Sequence, residues 1–292
     1  MLRTGAAAGI IWMCIAILLS TAAGACVRKL GGSVPTMELV FFRNVFALVG
    51  LTPWILKQGL GSMRTTRLPM YCLRVFFAYC AMVMLFYALS ELPIADVYAL
   101  QYTIPLFTIL LAVLILKQKT DTFSWIVTLV GFGGVLIVMR PGVIEITLAA
   151  FCALAAACCS AGSNTTLKLL SKTEGAGRIT VYSNLLMLPF AAVPMLFVWQ
   201  TPTAEQWPWI AGVAIFSSVG GYSFTRAVGA ADARVVQPFQ FTRMIFATAL
   251  GYWLFMELPD IWTWIGSAVI FGSTYAIGWR EAKKRRAEAA TS

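Results

Sequence analysis

The stretch IADVYALQYTIPLFTILLAVLIL, residues 94–116, contains a single charged residue, Asp96. About 20 consecutive apolar residues are enough for an α-helix to cross a bilayer. Tyr98, Gln101 and Tyr102 recur at helical spacing and form one stripe, which Pro105 extends. A stripe with two phenols and an amide is too polar to face lipid. The stretch therefore predicts a membrane-spanning helix that turns this stripe towards other helices or a cavity.

The rest of the chain has the same apolar character. Of its 292 residues, 60% are hydrophobic and only 12% are charged, and the mean hydropathy is +0.80. This composition excludes a soluble globular domain, a disordered chain and a disulfide-rich secreted fold. The seven cysteines fall in or beside apolar runs without a C-x-x-C pair, so we interpret them as small core side chains.

Apolar stretches separated by charge, proline and glycine predict ten transmembrane helices in an all-α integral membrane protein. They lie near residues 6–27, 35–56, 70–90, 94–116, 122–139, 146–169, 179–199, 207–228, 233–256 and 260–279. The first stretch has the outline of a secretory signal, but its length and the membrane segments that follow favour a first span.

Basic residues are distributed unevenly between the loops. With a cytoplasmic N-terminus, seventeen of the 22 Lys and Arg residues fall in cytoplasmic segments, and only Arg28, Lys29 and Arg140 fall outside. Because cytoplasmic loops retain Lys and Arg, both termini are predicted to be cytoplasmic, in the cell inner (plasma) membrane. Orientation in the bilayer explains the net charge of +10, and no nucleic-acid partner is needed.

The chain contains an internal repeat. Ala95-Asp96 and Gln101 align with Ala231-Asp232 and Gln237 at an offset of 136 residues. The repeat predicts two five-helix halves, residues 1–142 and 143–280, followed by a basic cytoplasmic tail at 281–292. Because five is odd, the second half enters the membrane from the opposite side, which is a device of secondary transporters.

These features resemble a known family. The five-plus-five plan, FFRN at 41–44, GFGGVLIVMRP at 131–141 and QPFQFTR at 237–243 are similar to the ten-helix EamA-type members of the drug/metabolite transporter superfamily. The resemblance implies transport of a small organic metabolite, since relatives include amino-acid exporters and importers of riboflavin or S-adenosylmethionine. One departure is Lys117-Gln118-Lys119, where such proteins often carry Gly-Glu, while Glu257 retains the acid in the second half.

Three ionisable residues fall within predicted spans: Glu38, Arg43 and Arg243. Charges inside a bilayer are expensive and are candidates for function. Arg243 is predicted near the bilayer midplane. Arg43 and Arg243 are candidate substrate ligands, and Glu38 is the candidate for coupling transport to protons. The alternative is structural, because either arginine could tie backbone carbonyls or Glu38 together and lock helices.

Uncharged polar residues supply the remaining candidates for substrate binding: Tyr98, Gln101, Tyr102, Gln240, Asn44, Asn164 and Asn184. We interpret Tyr98, Gln101 and Tyr102 as a cavity wall. For the asparagines, interhelical hydrogen bonding is an equally good interpretation. Asp96 and Asp232 open helices, so we interpret them as N-caps rather than ligands.

Other classes of function lack their sequence signals. The chain contains no histidine, no metal-ligand motif and no paired-carboxylate motif, so we expect neither an enzyme nor a metal site or cofactor. A channel or structural subunit is the remaining rival, and it would need no saturable site. No nucleotide motif is present, so the expected transport is secondary, by alternating access, with the lipid bilayer as its surroundings.

The candidate residues favour one kind of substrate. Two embedded arginines against one glutamate leave an excess positive charge, which an acidic or hydrogen-bond-accepting substrate would relieve. The tyrosine rings offer stacking surfaces and Gln101 offers an amide, which suit a flat heteroaromatic compound such as riboflavin. An aromatic amino acid or another exported drug or metabolite is the alternative. S-adenosylmethionine fits less well because it brings its own positive charge.

Overall fold

The computed structural model describes residues 6–58, 65, 67–114, 122–140, 147–171, 173–174, 176–230 and 237–291. These residues form α-helices and one 3-10 helix, and none of them lies in a β-strand. The α-helices are α1 (Ala6–Leu30), α2 (Thr36–Gln58), α3 (Leu68–Glu91), α4 (Ile94–Gln101), α5 (Ile104–Leu114), α6 (Thr122–Met139), α7 (Leu148–Leu170), α8 (Ala176–Val198), α9 (Trp207–Ala230), α10 (Thr242–Phe255) and α11 (Ile261–Thr291). The 3-10 helix, Gln237–Phe241, comes directly before α10. The predicted all-α class is confirmed.

Several helices are long and apolar enough to cross a membrane. Within the described residues five segments meet this requirement by length and composition: Ala7–Leu30, Leu68–Glu91, Ile94–Leu111, Leu148–Leu170 and Val181–Val198. Trp125–Met139 is a shorter apolar helix. The large exposed side chains are also apolar, for example Phe197 at 85% and Trp253 at 78% exposure. Lipid solvates such a surface, whereas soluble monomers rarely expose one of this extent.

The predicted fourth span is broken in the middle. Tyr102 and Thr103 form a turn between α4 and α5, with Tyr102 N–H bonded to Ala99 O at 3.2 Å and Thr103 N–H to Leu100 O at 3.1 Å. Pro105 has no N–H to continue the α-helical ladder, which explains the break. The single helix predicted over 94–116, with one straight polar stripe, is therefore wrong in this detail.

The second half also departs from regular α-helix at the equivalent place. The repeat offset aligns Gln101 with Gln237, and Gln237 begins the 3-10 helix, which contains Pro238. Interrupted helices at corresponding positions of two repeats commonly border the binding site of a transporter. A departure from regular α-helix in each half therefore indicates the centre of the bundle as the place to look for a site.

Helix pairing follows the relation between the halves. Helix α1 packs against α9, and their counterparts, α7 and α3, pack against each other in the same way. Helices α6 and α11, which are counterparts themselves, form another pair. Their contact needs small residues, since a Cβ on Gly266 would lie 2.7 Å from Gly134 O. The two halves thus interlock, and both supply walls to the space between them.

Candidate functional site

A cavity of about 420 Å³ lies between the two halves. Its walls come from α1 and α3 of the first half and from α7 and α9 of the second. Single side chains of α2, α4 and α10 complete it, namely Arg43, Tyr98 and Arg243. Sites for small organic ligands have volumes of about 300–1,000 Å³, so this space is large enough for a metabolite.

Tyr98 and Arg243 form one side of the cavity. The guanidinium carbon of Arg243 lies 5.0 Å from the centre of the Tyr98 ring, within the range of a cation–π contact. The Tyr98 hydroxyl donates to Ser20 O of α1 at 3.0 Å. Gly24 allows this approach, because a Cβ there would lie 2.5 Å from the hydroxyl oxygen. Tyr98 thus links α1 of the cavity wall to the arginine of the second half.

Arg43 forms another charged part of the wall. Its Nη1 lies 3.2 Å from the sulfur of Met82, which is a weak acceptor. Nearby on α7, Ser160, Ser163 and Asn164 line the same cavity. The arrangement can therefore offer guanidinium donors, hydroxyl groups and an amide to a bound molecule.

The structure brings together four of the nine predicted substrate ligands: Tyr98, Arg43, Arg243 and Asn164. The other five, Gln101, Tyr102, Gln240, Asn44 and Asn184, are not among the residues that line the cavity. Gln101 donates to Ala153 O of α7 at 2.8 Å, and Asn44 to Val40 O of its own helix at 2.7 Å. Tyr102, in the turn after α4, donates to Gln240 O of the 3-10 helix at 3.2 Å. The contacts of Gln101 and Tyr102 join separate segments, whereas that of Asn44 stays within α2 and is not the interhelical bond that was the alternative interpretation for the asparagines.

Glu38 lies away from the cavity. It sits in the first turn of α2, is fully buried, and accepts a short hydrogen bond from the backbone N–H of Gln200, just beyond α8. The structure therefore gives Glu38 a contact between two helix ends and does not bring it to Arg43 or Arg243. Glu38 is not among the residues that line the cavity, so the cavity adds no support to its predicted role in proton coupling.

Sequence reasoning missed the small residues of α1 that line the cavity. Ala16, Ser20, Ala23 and Gly24 recur at i, i+4, i+7 and i+8, so they share one helix face. This pattern is visible in the sequence and could have marked the face. Met82 and Phe86 of α3 also line the cavity, but nothing distinguishes them from other apolar residues of that helix.

Arg28 joins three helix ends at one end of the bundle, which we call the Arg28 end. Arg28 Nη1 donates to Ser90 O at 2.6 Å, and Nη2 pairs with Glu257 Oε1 at 2.7 Å. These contacts join the end of α1 to the ends of α3 and α10. Helix α1 packs on α3, whereas within the described part of the chain no contact of comparable extent joins α7 to α9. The described ends of these helices are thus tied together at the Arg28 end.

Asp96 belongs to the same end but does not cap its helix. The residue before α4 is Pro93, and Asp96 Oδ1 instead accepts from the Thr263 hydroxyl of α11 at 2.7 Å. The N-cap interpretation is wrong for Asp96 because it is the third residue of the helix and its carboxylate faces a hydroxyl donor. Asp232 lies outside the described residues.

Comparison with known proteins agrees with this architecture. The model of the EamA-like transporter family matches residues 7–140 and 147–279. A riboflavin transporter of Brucella anthropi is 30% identical over 82% of this chain and 87% of its own. An S-adenosylmethionine uptake transporter of Rickettsia bellii is 26% identical over 94% of each chain. A crystal structure with 17% identity has a TM-score of 0.60 over 92% of this chain and 95% of its own, which supports the fold.

Proposed function

Because this chain belongs to the EamA-like transporter family, we propose that it is a secondary transporter that moves a small organic metabolite by alternating access. The observation that carries the proposal is the central cavity, whose walls come from both halves. Two related halves can repack to expose such a site to either side in turn. The relatives are likewise transporters of small molecules by name.

The proposed substrate is a heteroaromatic compound such as riboflavin. Tyr98, Phe86 and Phe224 place aromatic rings on the cavity wall, where a flat ring system can stack. Arg43 and Arg243 supply donors for ring carbonyls and nitrogens. The Brucella anthropi relative is named a riboflavin transporter, which supports this substrate class. The two cations weigh against S-adenosylmethionine, which carries a positive sulfonium.

The test is uptake by purified protein in liposomes. We expect saturable uptake of riboflavin, and we expect Tyr98→Phe to lower it about fivefold, because one net hydrogen bond is worth about 1 kcal/mol. Tyr252→Phe is the matched control, since Tyr252 is 53% exposed on α10 and does not line the cavity. Transport of small aliphatic amines alone, unchanged by Tyr98→Phe, would contradict the proposal.

We also propose that the chain crosses the inner membrane ten times, with both termini in the cytoplasm. Helices α4 and α5 then form one interrupted span, and the Arg28 end faces outwards. The excess of basic residues at the other end supports this orientation. Tags at Met1 and Ser292 are expected to report the cytoplasm, and a reporter between Thr201 and Gln206 is expected to be external. Termini on opposite sides would overturn the ten-span topology.

A further inference from the structure

The cavity wall carries two cations and no anion. Arg43 reaches it from α2 of the first half and Arg243 from α10 of the second. No Asp or Glu is present among the described residues that line the cavity. Within the described part of the chain, neither arginine forms an ion pair, and the buried Nε of Arg243 has no hydrogen-bond partner.

Several described carboxylates are engaged elsewhere. Glu38, the one predicted to balance these arginines, accepts from Gln200 N–H at the end of α8. At the Arg28 end the carboxylates have their own partners: Glu257 with Arg28, Asp260 with Arg140, and Asp96 with Thr263. Among the described residues that line the cavity, the excess positive charge is therefore two rather than the one expected from sequence.

A guanidinium remains charged throughout the pH range of a cell, and its planar fork matches a carboxylate or a phosphate. Leaving two such groups uncompensated in a low-dielectric centre is costly. We therefore propose that the cavity binds an organic anion, whose carboxylate or phosphate group lies between Arg43 and Arg243. The uncharged body of the molecule then occupies the space between α3 and the hydroxyl-bearing face of α7. This inference rests on the proposed transport function and deepens it: among heteroaromatic compounds the site prefers an anion to a neutral molecule such as riboflavin.

The experiment measures the affinity of purified full-length protein for two matched pairs of compounds. Riboflavin is compared with riboflavin 5′-phosphate, and indole-3-acetamide with indole-3-acetate. In each pair the ring system is the same. Riboflavin 5′-phosphate carries an added phosphate group, and indole-3-acetate carries a carboxylate in place of the amide. We expect the anionic member to bind about tenfold tighter or more, as charge-assisted hydrogen bonds require.

Variants test whether Arg43 and Arg243 cause the preference for the anion. Arg43→Gln and Arg243→Gln are each expected to remove most of the preference for the anion, and Arg243→Lys is expected to keep part of it. Arg226→Gln is the control: Arg226 packs against Trp12 and Tyr222 and is not a lining residue, so the preference should persist. A monodisperse elution profile and a wild-type melting temperature establish that each variant is folded. Arg243→Lys keeps the test valid if Arg243→Gln fails to fold.

The outcomes separate the inference from the proposed function. Tighter binding of indole-3-acetate with no binding of either flavin supports the anion site and contradicts the flavin substrate. Equal or tighter binding of the neutral members overturns the inference while leaving flavin transport intact. Failure of all four compounds to bind also overturns it. A preference for the anion that persists in Arg43→Gln and Arg243→Gln overturns the assignment of these residues.

Discussion

Arginines at the Arg28 end of the bundle and arginines at its centre have opposite surroundings. Arg28 and Arg140 pair with carboxylates at 2.7 and 2.6 Å, and both are about one-fifth exposed. Arg43 and Arg243 face the cavity, where the described wall residues offer a thioether and an aromatic ring. Arginine therefore links helix ends at one place and remains available to a ligand at the other.

The difference indicates what each group of charges contributes. Partly exposed ion pairs are worth about 1 kcal/mol or less, so those at the Arg28 end can form and break as helices move. An uncompensated charge at the centre cannot be neutralised by such a movement alone. Closing the cavity around the arginines becomes favourable when a ligand supplies the missing negative charge or acceptor atoms.

The largest expected effect comes from displacing the ring that supports Arg243. In Gly24→Ala the new Cβ would lie 2.5 Å from the Tyr98 hydroxyl oxygen and 3.3 Å from its ring, so Tyr98 must move and lose its bond to Ser20 O. Because Arg243 rests on that ring, we expect uptake to fall about tenfold or more. Gly133→Ala is the control, since its Cβ would meet nothing within 4 Å. Wild-type uptake by Gly24→Ala would show that Tyr98 does not hold the arginine.

Variants of Glu38 test whether a buried carboxylate outside the cavity takes part in transport. Glu38→Ala leaves the Gln200 N–H without its acceptor, so we expect a loss of about 1–3 kcal/mol of stability, seen as a lower melting temperature. Glu38→Gln retains an oxygen that can accept this bond, and its melting temperature should stay close to wild type. Accumulation driven by a pH gradient should be the same in Glu38→Gln and wild type. Its loss in a stable Glu38→Gln protein would establish the proton-coupling role predicted from sequence.

A smaller effect is expected from opening the Arg28 end. Arg28→Gln removes the charge pair with Glu257, which costs about 1 kcal/mol and should raise the population open at this end about fivefold. The measurement is the rate at which an impermeant thiol reagent applied at that end modifies Ser20→Cys, a cavity position. Arg140→Gln breaks a pair away from the cavity and should leave the rate unchanged. Equal rates in all three proteins would show that Arg28 does not cover the site.

The sequence predicts the membrane class, the two repeats and four of the cavity residues, because these follow from hydropathy, periodicity and embedded charge. Contacts between distant segments leave no such pattern. Arg28 and Glu257 are 229 positions apart, and nothing local pairs them. Gln101 matched the polar stripe, yet its amide donates to Ala153 O on α7. Its orientation depends on the turn at Tyr102 and Thr103, whose position a single proline indicates only approximately.

The smallest expected effect comes from Glu174, at the opposite end of the bundle from Arg28. Here too a carboxylate pairs with an arginine. Hydrogen bonds from Thr65 and Arg178, at 2.8 and 2.7 Å, lower the pKa of the Glu174 carboxyl. A lowered pKa means that the stabilisation is present above the unfolded value of about 4.3 and is lost as the pH falls through the folded pKa. We expect Glu174→Gln to lower the melting temperature by about 1–2 °C at pH 7, since such pairs contribute roughly 0.5 kcal/mol. The difference from wild type should shrink below about pH 4.3, while the exposed Glu205→Gln control should match wild type throughout. A difference that stays constant down to low pH would mean that the ionised form of Glu174 is not what stabilises these helix ends.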